Sequence, residues 1–96
     1  MTREDSWWLY VLECRGGVLY TGIAKDVDER FEAHARGAGA RFTRSRPPLR
    51  IVARVCCGAK GDALRAECAL KQATRAEKLR WCAAGLEGFL AGLAQA

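Results

Sequence analysis

Four side chains able to move a proton or hold an anion fall along residues 9–34: Tyr10, Tyr20, Arg30 and His34. Two phenols, a guanidinium and an imidazole suit proton transfer beside an anionic group. Val27, Arg30, Phe31 and His34 occupy the i, i+3, i+4, i+7 positions of one helical stripe. A guanidinium on or beside a buried stripe is costly unless it meets an anion or an acceptor network. The plainer reading is an Arg30 that snorkels to the edge and a His34 satisfied within the core. A fifth candidate, Glu67, stands among Ala63, Leu64, Ala66, Cys68, Leu70 and Ala73. An inward carboxylate there is the hard oxygen ligand that Mg²⁺ or Mn²⁺ takes. With Lys71 one turn on, it also reads as an ordinary i, i+4 ion pair worth roughly a few tenths of a kcal/mol.

The elements that must position these groups are legible in outline. Apolar and aromatic residues fill 9–12 and 18–23, and Gly16-Gly17 between them marks a hairpin turn. A two-residue turn would pair Arg15 with Val18 and send Tyr10 and Tyr20 to opposite faces. A three-residue turn with Gly17 left-handed pairs Cys14 with Val18, Leu12 with Tyr20 and Tyr10 with Gly22. The second register is expected. It gathers Leu9, Val11, Leu19, Thr21 and Ile23 on one core face and leaves space above Gly22 beside both phenols.

A helix is predicted over residues 27–35, with Asp26 as N-cap and Glu29 at the capping-box position. Gly37-Ala-Gly39 ends it. A third strand is predicted over 49–57, with Ile51, Ala53 and Val55 alternating against Arg50, Val52 and Arg54. After a turn at 58–61, Asp62 is expected to cap a helix reaching Ala73. Thr74-Arg-Ala-Glu77 is a second capping box, opening a helix to 82 or 83 that Gly85 breaks. Leu86, Phe89, Leu90 and Leu93 form a last amphipathic helix that covers the core.

No acid occurs between Glu32 and Asp62, whereas Arg36, Arg41, Arg44, Arg46, Arg50, Arg54 and Lys60 do, with Phe42 among the first arginines. Pro47-Pro48 keeps part of this run extended. Planar guanidinium forks suit phosphate oxygens, so the run reads as a phosphate-tracking surface. The net charge of +5 agrees with an anionic partner. Ninety-six residues, half of them hydrophobic, make one domain over 1–96 with a modest core. The apolar runs fall short of the ~20 residues a membrane span needs. The charged residues 1–5 do not form a secretory signal. Five cysteines without C-x-x-C spacing, and one histidine apart from them, give no zinc pattern. They are expected to be reduced, mostly buried thiols in a cytoplasmic protein.

The ordered set Tyr10, Tyr20-Thr21-Gly22, Arg30, His34 and Glu67 resembles the GIY-YIG nuclease superfamily. Its first motif half stands here as Trp8-Leu9-Tyr10. The match continues through the helix Asp26 to His34 and reaches Ala63-Leu-Arg-Ala-Glu67-Cys-Ala-Leu-Lys71. The stretch from Gly39 to Leu49 is similar to the small stand-alone bacterial members, so the resemblance covers about residues 7–80. It implies an α+β fold, a small central three-stranded antiparallel sheet flanked by helices. It also implies endonuclease cleavage of a DNA phosphodiester with one divalent ion, Mg²⁺ or Mn²⁺, at branched, nicked or single-stranded structures in repair or recombination. By that resemblance Glu67 holds the metal and Arg30 the scissile phosphate. Tyr10 is general base or orienter of the attacking water, and Tyr20 and His34 complete the network. Arg36, Arg41, Arg44, Arg46 and Lys71 are the nucleic-acid-binding candidates, with RNA left open as a substrate. The first triplet is Trp-Leu-Tyr rather than Gly-Ile-Tyr, and the asparagine that several members use late in the domain has no counterpart here. The alternative is a catalytically weak or inactive nucleic-acid-binding module of the same fold. A monomer is expected, with a protein partner for targeting.

Overall fold

The alternation of apolar residues around Gly16-Gly17 becomes a hairpin in the computed structural model, which describes residues 5–95. Strand β1 (Trp7–Cys14) turns through Arg15–Gly17 into β2 (Val18–Ala24). Gly16 and Gly17 both take positive φ, 84° and 76°, a backbone region that side chains disfavour. The three-residue turn sets the expected register, with Cys14 opposite Val18, Leu12 opposite Tyr20 and Tyr10 opposite Gly22. Strand β3 (Pro48–Gly58) pairs antiparallel with the other side of β1, giving the order β2-β1-β3. The architecture is α+β, a three-stranded antiparallel sheet with helices on both faces.

One face buries Leu9, Val11 and Val55 against Ala66 and Leu70 of α3 (Lys60–Lys71) and Leu86 and Phe89 of α5 (Leu86–Ala94). Trp81 of α4 (Arg75–Ala84) meets Phe89 edge-on at 5.4 Å. The other face packs Tyr10, Leu12, Cys14 and Ala24 with Val27 and Phe31 of α1 (Val27–Ala35). Asp26 accepts the Glu29 amide at 3.0 Å and so caps α1. The Thr74–Glu77 capping box opens α4 with both reciprocal bonds made.

Several expectations are corrected. Strict alternation in β3 fails because Val11 pairs with Ala53 but Leu12 with Ile51, leaving Val52 as an extra, bulged residue. Ile51 therefore joins the Leu12 face while Val55 stays on the Leu9 face. Helix α3 begins three residues early, with Ala59 rather than Asp62 at its N-cap, and ends at Lys71 rather than Ala73. Asp62 instead pairs with Arg65 inside the first turn. Leu64 and Cys68, counted with its apolar set, are exposed. A short helix that the sequence pattern does not signal, α2 (Arg41–Ser45), occupies part of the arginine-rich run ahead of Pro47-Pro48, and Pro48 itself is extended in β3. The cysteines are free, but only Cys14 is buried; Cys57 and Cys82 are half-buried and Cys56 and Cys68 exposed. Residues 1–4 of the charged N-terminal stretch lie outside the described residues. Among the described residues, no helix is long and apolar enough to cross a membrane.

Thr21, on the buried Leu9 face, has a side-chain oxygen with no hydrogen-bond partner among the described residues. A buried hydroxyl without a partner costs free energy that an isosteric methyl does not. Thr21→Val is therefore expected to raise unfolding stability by about 1 kcal/mol, read as a higher urea midpoint at unchanged slope.

Candidate active site

Tyr10 stands on the central strand and is 2 % exposed. Its ring passes over the edge strand at Gly22: a Cβ there would lie 2.5 Å from Tyr10 Oη and 2.7 Å from Cζ. The space expected above Gly22 is thus filled by the Tyr10 phenol itself. Beside it opens a cleft of about 380 Å³ bordered by Tyr10, Tyr20, Gly22, Arg30, His34 and Glu67. Strands β1 and β2, helix α1 and helix α3 each contribute to that rim. All five chemically capable side chains singled out in the sequence meet there. The Tyr10 and Tyr20 rings are 6.4 Å apart, and Tyr20 meets His34 edge-on at 5.1 Å.

His34, in the last turn of α1, is 2 % exposed and its Nε2 lies 3.1 Å from Tyr10 Oη. Its Nδ1 lies 2.8 Å from Thr43 Oγ1 and 3.3 Å from the Ala40 amide nitrogen. Gly39 presses on the imidazole; a Cβ there would run into the ring, 2.7 Å from Cγ and from Cε1. Thr43, fully buried on α2, is the site residue that sequence reasoning missed. A hydroxyl inside a cationic run carries no periodic signal, and its role appears only once α2 is seen to turn it inward. Its neighbour Phe42 stacks on Tyr20, centroids 5.9 Å apart at 23°, and remains 39 % exposed.

Arg30 is exposed rather than buried on the α1 stripe, so its charge keeps its solvent and the desolvation cost does not arise. Glu67 pairs with Lys71 at 3.5 Å, its own side chain 20 % exposed, and the same carboxylate borders the cleft. The ion pair and the cleft position are both present. Arg36, Arg41, Arg44, Arg46 and Lys71 are all exposed, and Arg46 reaches the hairpin turn at Gly16. Arg50 and Arg54 bind Glu13 and Asp28 at 2.8 and 3.1 Å, so acids from other elements partner part of the acid-free run. Lys60 lies over the Trp7 ring at 4.9 Å.

The centre of the site is neutral and its rim is charged. Burial, then the neighbouring Tyr20, pushes the Tyr10 phenol well above its ordinary 10.0, while Arg30 pulls the other way and Glu67 adds to the rise. Burial, then Arg30, lowers His34 below its ordinary 6.5. Among the described residues no group of three or more His, Cys, Asp or Glu side chains could enclose a metal. Glu67 is a lone carboxylate on an open cleft. That donor set fits Mg²⁺ or Mn²⁺, which keep several waters and share substrate phosphate oxygens, and does not fit a caged ion.

Two outcomes follow from this geometry. Gly22→Ala is expected to cost about 1–3 kcal/mol through overpacking against the Tyr10 ring, measured by urea unfolding. The folded chain binds the His34 proton less tightly than the unfolded chain does. Its contribution to stability is therefore full above pH 6.5 and lost as pH falls through the lower folded value. Imidazole titration by NMR is expected to give a midpoint below 6.5, and His34→Gln to flatten the acid limb of the stability profile.

The profile of the GIY-YIG catalytic domain matches residues 6–80. A UPF0213 protein of Cupriavidus pinatubonensis is 49 % identical over 83 residues, covering 86 % of this chain and 92 % of its own. A UPF0213 protein of Staphylococcus aureus is 45 % identical over 76 residues, covering 79 % and 93 %. The solution NMR structure of a UPF0213 protein from Bacillus halodurans is 40 % identical. It covers 81 % of this chain and 83 % of its own, with a TM-score of 0.53. The names of these relatives state no substrate; the matched domain is a nuclease domain, whose substrate class is nucleic acid. With its phenols, arginine and carboxylate gathered on one cleft and the domain profile spanning most of its length, the chain belongs to the GIY-YIG family.

Proposed function

We propose that this protein is a divalent-metal-dependent endonuclease that hydrolyses DNA phosphodiester bonds at structures with unpaired strands, working as a single domain in the cytoplasm. The observation that carries the reading is the convergence of Arg30, Glu67 and the two phenols on one open cleft, from positions up to 57 residues apart in the chain.

In this reading the exposed Arg30 receives the scissile phosphate and neutralises charge that builds on its oxygens. Glu67 would hold the Mg²⁺ or Mn²⁺ ion, which when bound supplies further positive charge to the phosphoryl oxygens. Tyr10 orients the attacking water or takes its proton. Burial keeps its phenol protonated at rest; the nearby Arg30 favours the phenolate without offsetting burial, so the base would need the further positive charge that a bound ion supplies. Tyr20 and His34 brace the phenol. Arg36, Arg41, Arg44, Arg46 and Lys71 contact the sugar–phosphate backbone. The open face of Phe42, stacked on Tyr20, offers a platform for an unpaired base. That platform supports the preference for single-stranded, nicked or branched substrates over intact duplex.

A panel of duplex, single-stranded, flap and four-way DNA with Mg²⁺ or Mn²⁺ tests the proposal. Glu67→Ala and Arg30→Ala are each expected to lower kcat by at least about 10²-fold while thermal unfolding stays near wild type, and chelation is expected to stop cleavage. Scission that persists in Glu67→Ala would sink the assignment. Replacing Arg41 and Arg44 together is expected to reduce the salt slope of binding by up to about 2, read from log Kd against log salt. Salt-sensitive binding with no scission at any metal concentration would instead identify a binding module.

A further inference from the structure

His34 has two ring nitrogens and three neighbours that compete for them. Nε2 faces Tyr10 Oη, and Nδ1 faces both Thr43 Oγ1 and the Ala40 amide. A neutral imidazole carries one proton, so these partners decide where it sits. The Ala40 N–H can only donate, and the backbone fixes its hydrogen toward Nδ1. The Thr43 hydroxyl has a single proton, which it can donate to the Ala40 carbonyl at 2.8 Å or turn toward Nδ1, also 2.8 Å away. That carbonyl already accepts the Thr43 and Arg44 amides, so it has partners without the hydroxyl. Nδ1 must offer a lone pair to the fixed amide, and the hydroxyl turns to meet the same lone pair. The ring proton is then left on Nε2, aimed at the Tyr10 oxygen.

We infer that His34 works as a neutral Nε2–H donor to Tyr10 Oη, and that Thr43 is the positioning residue that, with the Ala40 amide, holds it in that form. The inference rests on the nuclease reading and deepens it. His34 is the hydrogen-bond donor that stabilises the Tyr10 oxygen as it gains negative charge, and it is not a proton acceptor. Tyr10 is left as the only base in the pair. The arginine-bearing helix α2 thereby supports the catalytic phenol through one buried hydroxyl.

The chain has a single histidine, so its imidazole signals identify themselves. Long-range ¹H–¹⁵N correlation on ¹⁵N-labelled protein is expected to show Nε2 protonated and Nδ1 as a bare acceptor. A protonated Nδ1 in the wild-type protein would overturn the inference, and this arm needs no variant to fold. Thr43→Val removes one of two donors to Nδ1. It is expected to give a mixture of tautomers and roughly tenfold lower kcat, with KM for DNA within about twofold, and Thr43→Ser to restore both. A kcat unchanged in Thr43→Val, or a loss that Thr43→Ser does not restore, would remove the positioning role. The amide nitrogen of a glutamine can replace the Nε2 donor but cannot act as a base. His34→Gln is therefore expected to keep clearly more kcat than His34→Ala; equal losses would count against the donor role. The spectrum does not depend on turnover. The Nε2–H form in a protein that cuts no DNA would defeat the nuclease reading and leave the tautomer assignment standing.

Discussion

A phenol must cross an edge strand, and the rest of the site depends on the one residue that lets it. Tyr10 belongs to the central strand, while the cleft lies beyond β2, one strand spacing of about 4.8 Å away. Any side chain at Gly22 would occupy the volume of the Tyr10 ring. The crossing brings the hydroxyl to a cleft bordered both by Arg30, from the helix on one face, and by Glu67, from the helix on the other. It depends in turn on register, because a slip of one residue would turn Tyr10 to the opposite face of the sheet. The three-residue turn with two left-handed glycines is what holds that register.

Around the phenol the protein separates neutral, buried groups from charged, exposed ones. Tyr10 and His34 are sealed under α1 and α2, and burial drives both toward their uncharged forms. Arg30 and Lys71 keep their solvent, and Glu67 keeps part of its own. This division avoids the cost of an unpaired buried ion while leaving charge where a phosphate can reach it. Helix α2 joins the two zones. Its Thr43 and Phe42 grip His34 and Tyr20, while Arg41 and Arg44 remain at the surface.

Local chemistry explains what was readable along the chain. The hairpin register, helix α1 with its Asp26 cap, the Thr74–Glu77 box and the last helix all rest on signals within a few residues. The misreadings arise where distant partners decide. The bulge at Val52 follows from pairing with β1, and the start of α3 is set two residues ahead of an acid that looked like its cap. Arg30 falls on an apolar stripe by spacing, yet the cleft leaves that position open to solvent. Within the acid-free interval, Arg50 and Arg54 find acids that lie elsewhere along the chain, Glu13 on a strand and Asp28 on a helix.

The sequence alone determined the order of the three strands and of every helix but α2, the turn that sets the tyrosines, and the residue types able to meet a phosphate. Those follow from backbone propensity, side-chain period and charge, which act over short stretches. Tertiary structure alone decided that the phenol fills the space over Gly22, that Thr43 lies buried against His34, and that Glu67 serves an ion pair and a cleft together. Each of these is a contact between groups well separated along the backbone or held by packing, and close packing sets such contacts only when the whole sheet and its helices are in place.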